Sequence, residues 1–206
     1  MLIFIGEKSA VSYKMHIVTR CIEKDFMLYS LQQTKRRIYM LKLRPFKNCD
    51  AEIITSWIKD EYSFRQWSAD RYKKFPPRAK DMIKLYQTTD NNDSFFGFTA
   101  YDEKGVCGHF TVRFTDEEKK IARLGFIIVD DNRRGTGLGK ALVTLGIRYC
   151  LEFLKAEKIT LGVFENNAAA YGCYLSAGFK EVTLPETEYY HIGGEKWKCI
   201  EMEYVK

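Results

Sequence analysis

The residues best suited to chemistry form a glycine-rich segment, Arg134-Gly-Thr-Gly-Leu-Gly139. It follows an apolar, β-branched run, Phe126 to Val129, which is typical of a buried strand. It opens directly into a helical pattern, and the first N–H groups of a helix have no partners within that helix. The helix dipole is positive at the same end, and glycine lets the backbone approach an anion without a Cβ in the way. The segment therefore predicts a phosphate-binding turn.

Two common phosphate loops do not fit this segment. The kinase and ATPase loop needs Gly, four residues, Gly-Lys, then Ser or Thr. Gly135 is one residue too close to Gly139, and Ala141 stands where the magnesium-binding hydroxyl is needed. The dinucleotide fingerprint Gly-x-Gly-x-x-Gly fails because Gly139 follows Gly137 one residue too early. From this segment alone, a glycine-rich turn without a ligand stays the alternative.

A second segment, Asn167 to Phe179, carries a further spacing of interest. Asn167 is followed seven residues later by Tyr174, and Gly178-Phe179 comes next. Alone, Tyr174 would be a helix aromatic that is more often buried than catalytic. The upstream segment supplies the pattern Arg-x-x-Gly-x-Gly, as Arg134, Gly137 and Gly139.

Together the two patterns resemble the motifs of the GCN5-related N-acetyltransferases, which bind acetyl-coenzyme A (acetyl-CoA). The resemblance covers residues 40–206 in element order, and its motifs lie at about residues 125–180. It implies that backbone N–H groups of the glycine-rich turn hold the pyrophosphate, while the extended pantetheine arm pairs with the edge of the preceding strand. The implied cofactor-binding residues are Ile127, Ile128, Val129, Arg134, Gly135, Thr136, Gly137, Leu138, Gly139, Lys140, Asn167 and Tyr174.

The resemblance also implies a reaction. The family opens a splay between the strand that ends at Val129 and the strand at residues 159–164. A backbone N–H near Val129 would polarise the thioester carbonyl, and an acceptor amine would attack it directly. Tyr174 would then protonate the departing thiolate.

The base that takes the proton of the amine stays open. Asp130 and Asp131 adjoin the glycine-rich turn, where shaping the turn is the competing interpretation. Glu165 lies at a strand end and is a second candidate. His109 is the third choice, since a hydrogen-bonded structural histidine is the commoner case.

Residue patterns and the resemblance agree on the elements that position these groups. The implied fold is a mixed α/β acyl-CoA N-acyltransferase fold, with a central, mostly antiparallel sheet flanked by helices. Alternation and turn residues predict strands at 40–46, 95–101, 106–114, 121–129, 159–164, 180–188 and 196–204. Helical spacing predicts a helix capped by Asp50 and further helices at 78–86, 138–157 and 168–176, the last closed by Gly178.

An aromatic segment, residues 60–75, separates the first helix from the Pro76-Pro77 pair. Large aromatics are usually core residues. In the resembling family, however, the corresponding loop forms one wall of the acceptor site. Phe64, Arg65 and Trp67 are therefore candidates for facing the substrate.

Composition narrows the function classes. The chain has 206 residues and a net charge of +6, and residues 1–39 hold seven Lys/Arg against three Asp/Glu. Residues 40–206 are thus close to neutral, which gives nucleic-acid binding no support. No apolar run reaches the length of about 18 residues that predicts a membrane span. The six scattered cysteines include no Cys-x-x-Cys pair, so neither a metal site nor disulfides are predicted, and a reduced, cytoplasmic protein is expected.

The sequence thus predicts an enzyme that moves the acetyl group of acetyl-CoA to an amine of a small molecule or a protein. Two alternatives stay open: acetylation of protein α-amino groups, and a non-catalytic acyl-CoA sensor or adaptor. Residues 1–39 are expected to be an extension of a domain at residues 40–206. The alternative is that their apolar runs dock on the domain or on a second subunit. A homodimer is therefore possible.

Overall fold

The computed structural model describes residues 41–89 and 93–205. The predicted extension, residues 1–39, lies outside the described residues. The strands are β1 (Lys42–Pro45), β2 (Phe95–Asp102), β3 (Gly105–Phe114), β4 (Ile121–Val129), β5 (Lys158–Phe164), β6 (Phe179–Glu181), β7 (Glu188–Ile192) and β8 (Glu195–Tyr204). The α-helices are α1 (Asp50–Ser56), α2 (Glu61–Ser68), α3 (Ala79–Gln87), α4 (Leu138–Glu152) and α5 (Ala168–Ser176).

All the described strands join one sheet. Their order is β1-β2-β3-β4-β5-β8-β6, and β7 also pairs with β8. Every pairing is antiparallel except that of β4 with β5. The predicted class, a mixed α/β fold around a mostly antiparallel sheet, is confirmed.

Helices cover parts of both faces of the sheet. On one face, Leu142 and Ile147 of α4 pack in a core with Phe110 and Leu124 from β3 and β4. A second core joins α1, α2 and α3 to the sheet, with Ile54, Phe64 and Met82 fully buried. Burying each such side chain contributes about 1.5–3 kcal/mol to the free energy of folding. Both cores therefore stabilise the sheet that carries the site described below.

Most predicted bounds agree with the structure to within one or two residues, but three predicted features differ in kind or extent. Asp50 does not cap α1: Cys49 is the N-cap, and the buried Asp50 carboxylate instead accepts hydrogen bonds from Arg44 at 2.6 and 2.7 Å. The helix predicted over 138–157 ends at Glu152, because the chain must already turn there to bring Glu157 and Lys158 to the carbonyl of Lys120.

The strand predicted over 180–188 is also wrong. The chain forms the short β6 and then β7, with a non-strand segment between them that contains Pro185. Proline has no N–H to donate to a sheet ladder, which explains the interruption. The predicted turn at Gly193-Gly194 does join β7 to β8, and both glycines have positive φ, 59° and 89°.

Candidate functional site

The sheet opens between β4 and β5. These parallel strands pair only where Ile121–Arg123 meets Lys158–Thr160. From Thr160 onward β5 pairs with β8 on its other side. The second half of β4 therefore has a free edge that faces a gap in the sheet.

A bulge in β4 lies at this gap. Gly125 is opposite Thr111 and Ile128 is opposite His109, so two residues of β4, Phe126 and Ile127, span the place of one residue on β3. Phe126 has φ of 48°, a left-handed conformation that costs a non-glycine residue about 1–3 kcal/mol. Such conformations persist only where the surroundings enforce them and cluster at functional sites.

The backbone of β4 presents hydrogen-bonding groups to the gap. The N–H of Asp130 donates to the carbonyl of Cys107 on β3 at 3.0 Å. Antiparallel pairs alternate between hydrogen-bonded and non-hydrogen-bonded positions. The backbone N–H and carbonyl of Ile128 therefore also face β3, while those of Ile127 and Val129 face the gap. The N–H of Val129 is thus directed away from β3.

The glycine-rich turn lies where β4 leads into α4. Gly135 and Gly137 have φ of 73° and 90°, and Gly137 is the N-cap of α4. No side chain caps this helix, which leaves the N–H groups of its first turn to point outward. A Cβ at Gly135 or Gly137 would have no atom within 4 Å, so the space in front of the helix end is open.

The turn is anchored from two sides. The Asp130 carboxylate accepts a hydrogen bond from the N–H of Asn132 at 3.0 Å, and Lys59 forms an ion pair with Asp131 at 3.7 Å. Arg134 reaches the carbonyl of Trp57 at 3.5 Å. These contacts hold the turn against the segment that follows α1.

A cleft of about 630 Å³ runs along the free edge of β4 to the glycine-rich turn. Ten of the predicted binding residues line it: Ile127, Ile128, Val129, Arg134, Gly135, Gly137, Gly139, Lys140, Asn167 and Tyr174. Thr136 and Leu138 do not line it. The Thr136 hydroxyl donates to the carbonyl of Arg133 at 2.6 Å, and the Leu138 side chain is buried. Their predicted contribution therefore rests on their backbone N–H groups.

Tyr174 and Asn167 reach the cleft from α5. Asn167 is the N-cap of this helix, and its side-chain oxygen accepts from the N–H of Ala170 at 3.2 Å. Tyr174 is 8% exposed, and its hydroxyl makes no hydrogen bond to another residue of the described ranges. Burial raises the pKa of Tyr174, which keeps the phenol protonated at neutral pH. Tyr174 can therefore act as a proton donor inside the cleft.

None of the four candidates for the general base lines this cleft. His109 is fully buried, its Nε2 lies 2.7 Å from the Tyr86 hydroxyl, and burial lowers its pKa to about 3. Asp130 and Asp131 hold the turn, as described above. Glu165 is exposed and accepts a hydrogen bond from Lys198 at 3.1 Å.

A second cleft, of about 640 Å³, meets the first at the gap. It lies on the opposite face of the sheet from α4, because its Thr111 and Arg113 alternate with core residues Phe110 and Val112 on β3. Both clefts share the following residues of α2, β4, β5 and β8: Trp67, Leu124, Gly125, Phe126, Gly162 and Cys199. A molecule in the second cleft can therefore reach one held in the first.

The aromatic segment contributes one of its three candidates to these clefts. Trp67 lines both, and its ring contacts that of Phe126 at 5.3 Å between centroids. Phe64 is fully buried, and Arg65 is paired with Glu61 and Asp70. Sequence reasoning missed Phe126, because only the bulge turns it toward Trp67.

Comparison with known proteins identifies the arrangement. The model of the Acetyltransferase (GNAT) family matches residues 52–179, more than half of the chain. That range includes the glycine-rich turn, β4, β5 and the segment Asn167 to Phe179.

Individual proteins agree with this match. The Bacillus subtilis spermine/spermidine N(1)-acetyltransferase is 36% identical over 67 residues, which are 32% of this chain and 44% of that protein. The aligned part thus spans less than half the length of this curated relative. The crystal structure of a spermidine N-acetyltransferase from Vibrio cholerae in complex with CoA and spermine has a TM-score of 0.67 at 21% identity, covering 79% of this chain and 94% of that one. At this identity the likeness shows a shared fold.

Proposed function

Because the chain belongs to the acetyltransferase (GNAT) family, we propose that it transfers the acetyl group of acetyl-CoA to an amine of a small molecule. One observation carries the proposal: the free edge of β4 and the uncapped start of α4 line the same cleft, which a second cleft meets at the gap.

The residues of the first cleft fit the chemical parts of acetyl-CoA. The N–H groups from Gly135 to Lys140, with the charge of Arg134, suit the pyrophosphate. Ile127 and Val129 present backbone N–H and carbonyl groups to the gap, which suit the amides of the pantetheine arm. Asn167 caps α5 in the same cleft and supports the position of that helix.

Acetyl transfer needs two electrostatic contributions from the protein. The N–H of Val129 stabilises negative charge that develops on the thioester oxygen when the amine attacks. A carbon–nitrogen bond forms, the carbon–sulfur bond breaks, and the amine loses a proton to water or to a carboxylate of the second cleft. Tyr174, which burial keeps protonated, donates to the departing thiolate. Two carboxylates that were not predicted from the sequence, Glu188 and Glu201, line the second cleft and can accept the proton of the amine.

A small-molecule acceptor is the best-supported choice. The curated relative is named for its action on the polyamines spermine and spermidine, whereas no described feature favours a protein α-amino group or a sensor without activity. We also propose a cytoplasmic location, since the five cysteines within the described ranges are free thiols.

A panel of amines tests the proposal. Each candidate is incubated with the protein and acetyl-CoA, and free CoA thiol and acetylated amine are quantified. At least one small amine should raise CoA release above the rate with acetyl-CoA alone, with an equal amount of acetylated product. CoA binding without acetylation of any amine would overturn the proposal and favour the sensor.

A further inference from the structure

Arginines concentrate in the second cleft. Arg113 on β3 and Arg123 on β4 are direct partners across the antiparallel pair, so both side chains lie on the same face of the sheet. Arg71, just beyond α2, lines the same cleft. Like charges that face each other across two strands are destabilising, which calls for a compensating negative charge in the cleft.

The protein compensates only part of this charge. Arg123 is paired with Glu201, and its Nη1 also lies 3.4 Å from the Thr160 hydroxyl. Within the described ranges, neither Arg113 nor Arg71 has a carboxylate within ion-pair distance. Desolvation, followed by the charges of Arg71 and Arg123, lowers the pKa of Arg113. Two guanidinium groups are thus available to an anion in this cleft.

Neutral donors lie beside these arginines. The hydroxyl of Ser68, a residue that is 1% exposed, and the indole N–H of Trp67 are buried without hydrogen-bond partners among the described residues. Both residues line the second cleft. Buried polar groups normally have partners, so these two donors leave hydrogen-bonding capacity unused in the wall of the cleft, beside the arginines.

The opposite charge is also present in the cleft, near Arg123. Glu188 of β7 accepts a hydrogen bond from the Tyr190 hydroxyl at 2.7 Å. Its carboxylate suits an ammonium group, while the arginines suit an anion. A molecule with both charges therefore matches the cleft better than a polycation, which would face the two arginines without a carboxylate partner among the described residues, Arg71 and Arg113.

We propose that the second cleft binds the acceptor, and that this acceptor is a small amine carrying a carboxylate or another anionic group, which Arg113 and Arg71 hold. This proposal rests on the acetyl transfer proposed above, and it separates this chain from the polyamine acetyltransferases that it resembles. Arg113 and Arg71 are then specificity-determining residues for the acceptor.

Matched amines and arginine variants test this assignment. Pairs that differ only in a carboxylate, such as phenylalanine and phenethylamine or γ-aminobutyrate and butylamine, are compared with spermidine. For each, kcat/KM for CoA release and the rise in Tm in the presence of CoA are measured. The variants are Arg113→Gln and Arg71→Gln, and the control is Arg148→Gln, which removes an arginine of α4 whose side chain is 65% exposed.

The wild-type protein should prefer the anionic member of a pair by at least about tenfold, a difference typical of one charged hydrogen bond. Arg113→Gln should remove most of this preference, while Arg148→Gln should keep it. Equal use of both members, or a preference for spermidine that the variants leave unchanged, would overturn the assignment while leaving acetyl transfer intact.

The Tm measurement separates this failure from failure of the proposed function. If no amine is acetylated but anionic amines still raise Tm in wild type and not in Arg113→Gln, the acceptor class stands and acetyl transfer fails. If neither activity nor an Arg113-dependent Tm shift is seen with any anionic amine, the assignment is overturned.

Discussion

The guanidinium group of Arg123 lies directly over Gly162, at the point where the two clefts meet. A Cβ added at Gly162 would be 2.6 Å from Nη2 of Arg123 and 2.9 Å from Sγ of Cys199. Real Cβ atoms do not approach this closely, so a side chain here must displace Arg123. The absence of a side chain at residue 162 therefore lets Arg123 cross over β5 and pair with Glu201 of β8.

Gly162→Ala is expected to lower acetyl transfer and the free energy of unfolding, because it forces Arg123 away from Glu201. Separating a partly buried ion pair leaves an uncompensated charge, which costs roughly 1–3 kcal/mol. Chemical denaturation and kcat/KM with the best acceptor measure both effects. Gly172→Ala is the control, since a Cβ there has no atom within 4 Å. Equal stability of the two variants would contradict the role given to Gly162.

Gly137→Val is expected to weaken CoA binding by at least about tenfold, or 1.4 kcal/mol. The new side chain would occupy the space before α4 and strain a residue whose φ is 90°. Calorimetric titration measures the affinity. Gly194→Val provides a matched control, because Gly194 has φ of 89° and no nearby atoms but lies in the β7–β8 turn. Unchanged affinity in folded Gly137→Val would show that the turn does not hold the pyrophosphate.

Tyr174→Phe is expected to lower turnover by about 10²–10⁴, the usual contribution of a general acid, with CoA affinity changed only a few-fold. The reason is that the variant keeps the buried ring and loses only the hydroxyl. Tyr171→Phe, on the same helix, is the control, since its hydroxyl bonds Glu181. Full turnover in Tyr174→Phe would mean that another group or water supplies the proton.

Stability should fall in acid partly because of His109. Burial lowers its folded pKa to about 3, below the unfolded value of about 6.5. Between these values the unfolded state binds the extra proton, so stability is present above about pH 6.5 and is lost toward pH 3, at up to about 1.4 kcal/mol per pH unit. Chemical denaturation at pH 4–7 measures the free energy of unfolding. This free energy should fall less steeply with decreasing pH in His109→Gln than in the wild type. The control is His191→Gln, which replaces an exposed histidine and should keep the wild-type slope.

The chain shortened to residues 40–206 is expected to fold and to bind CoA, because among the residues that the structure describes those lining the two clefts begin at Ile58. Thermal melting of the full and shortened chains, with and without CoA, tests this expectation. Aggregation of the shortened chain, or loss of the rise in Tm with CoA, would show that residues 1–39 are part of the fold.

Local patterns predicted most elements of the fold, and the resemblance to the acetyltransferase motifs implied the residues of the first cleft. The predicted bounds of β4 and α5 agree with the structure, since each carries a regular apolar pattern and ends at clear turn residues. The glycine-rich turn could be predicted from the sequence because backbone with positive φ favours glycine, and Gly135 and Gly137 both have positive φ.

The second cleft could not be predicted from local patterns, because its residues come together only through the pairing of strands. Arg113 and Arg123 are neighbours only through the register of β3 and β4. Glycine is needed at residue 162 only because the side chain of Arg123 lies over it. The left-handed Phe126 has no local signature, since its conformation is imposed by the bulge. Likewise, the local sequence around Asp50 is typical of a helix cap. The partner Thr99, whose hydroxyl donates to the Asp50 carboxylate at 2.8 Å, is distant in sequence and could not be predicted from it.

Direct transfer from acetyl-CoA to the amine is the central claim, and the mass of the intact protein tests it most directly. The protein is mixed with acetyl-CoA alone, its mass is recorded, and the best acceptor is then added. We predict an unmodified protein in the first step, followed by equal amounts of free CoA and acetylated amine. A protein that carries the acetyl group before the amine is added, for example on Cys173 beside Tyr174, and passes it on afterwards would contradict direct transfer.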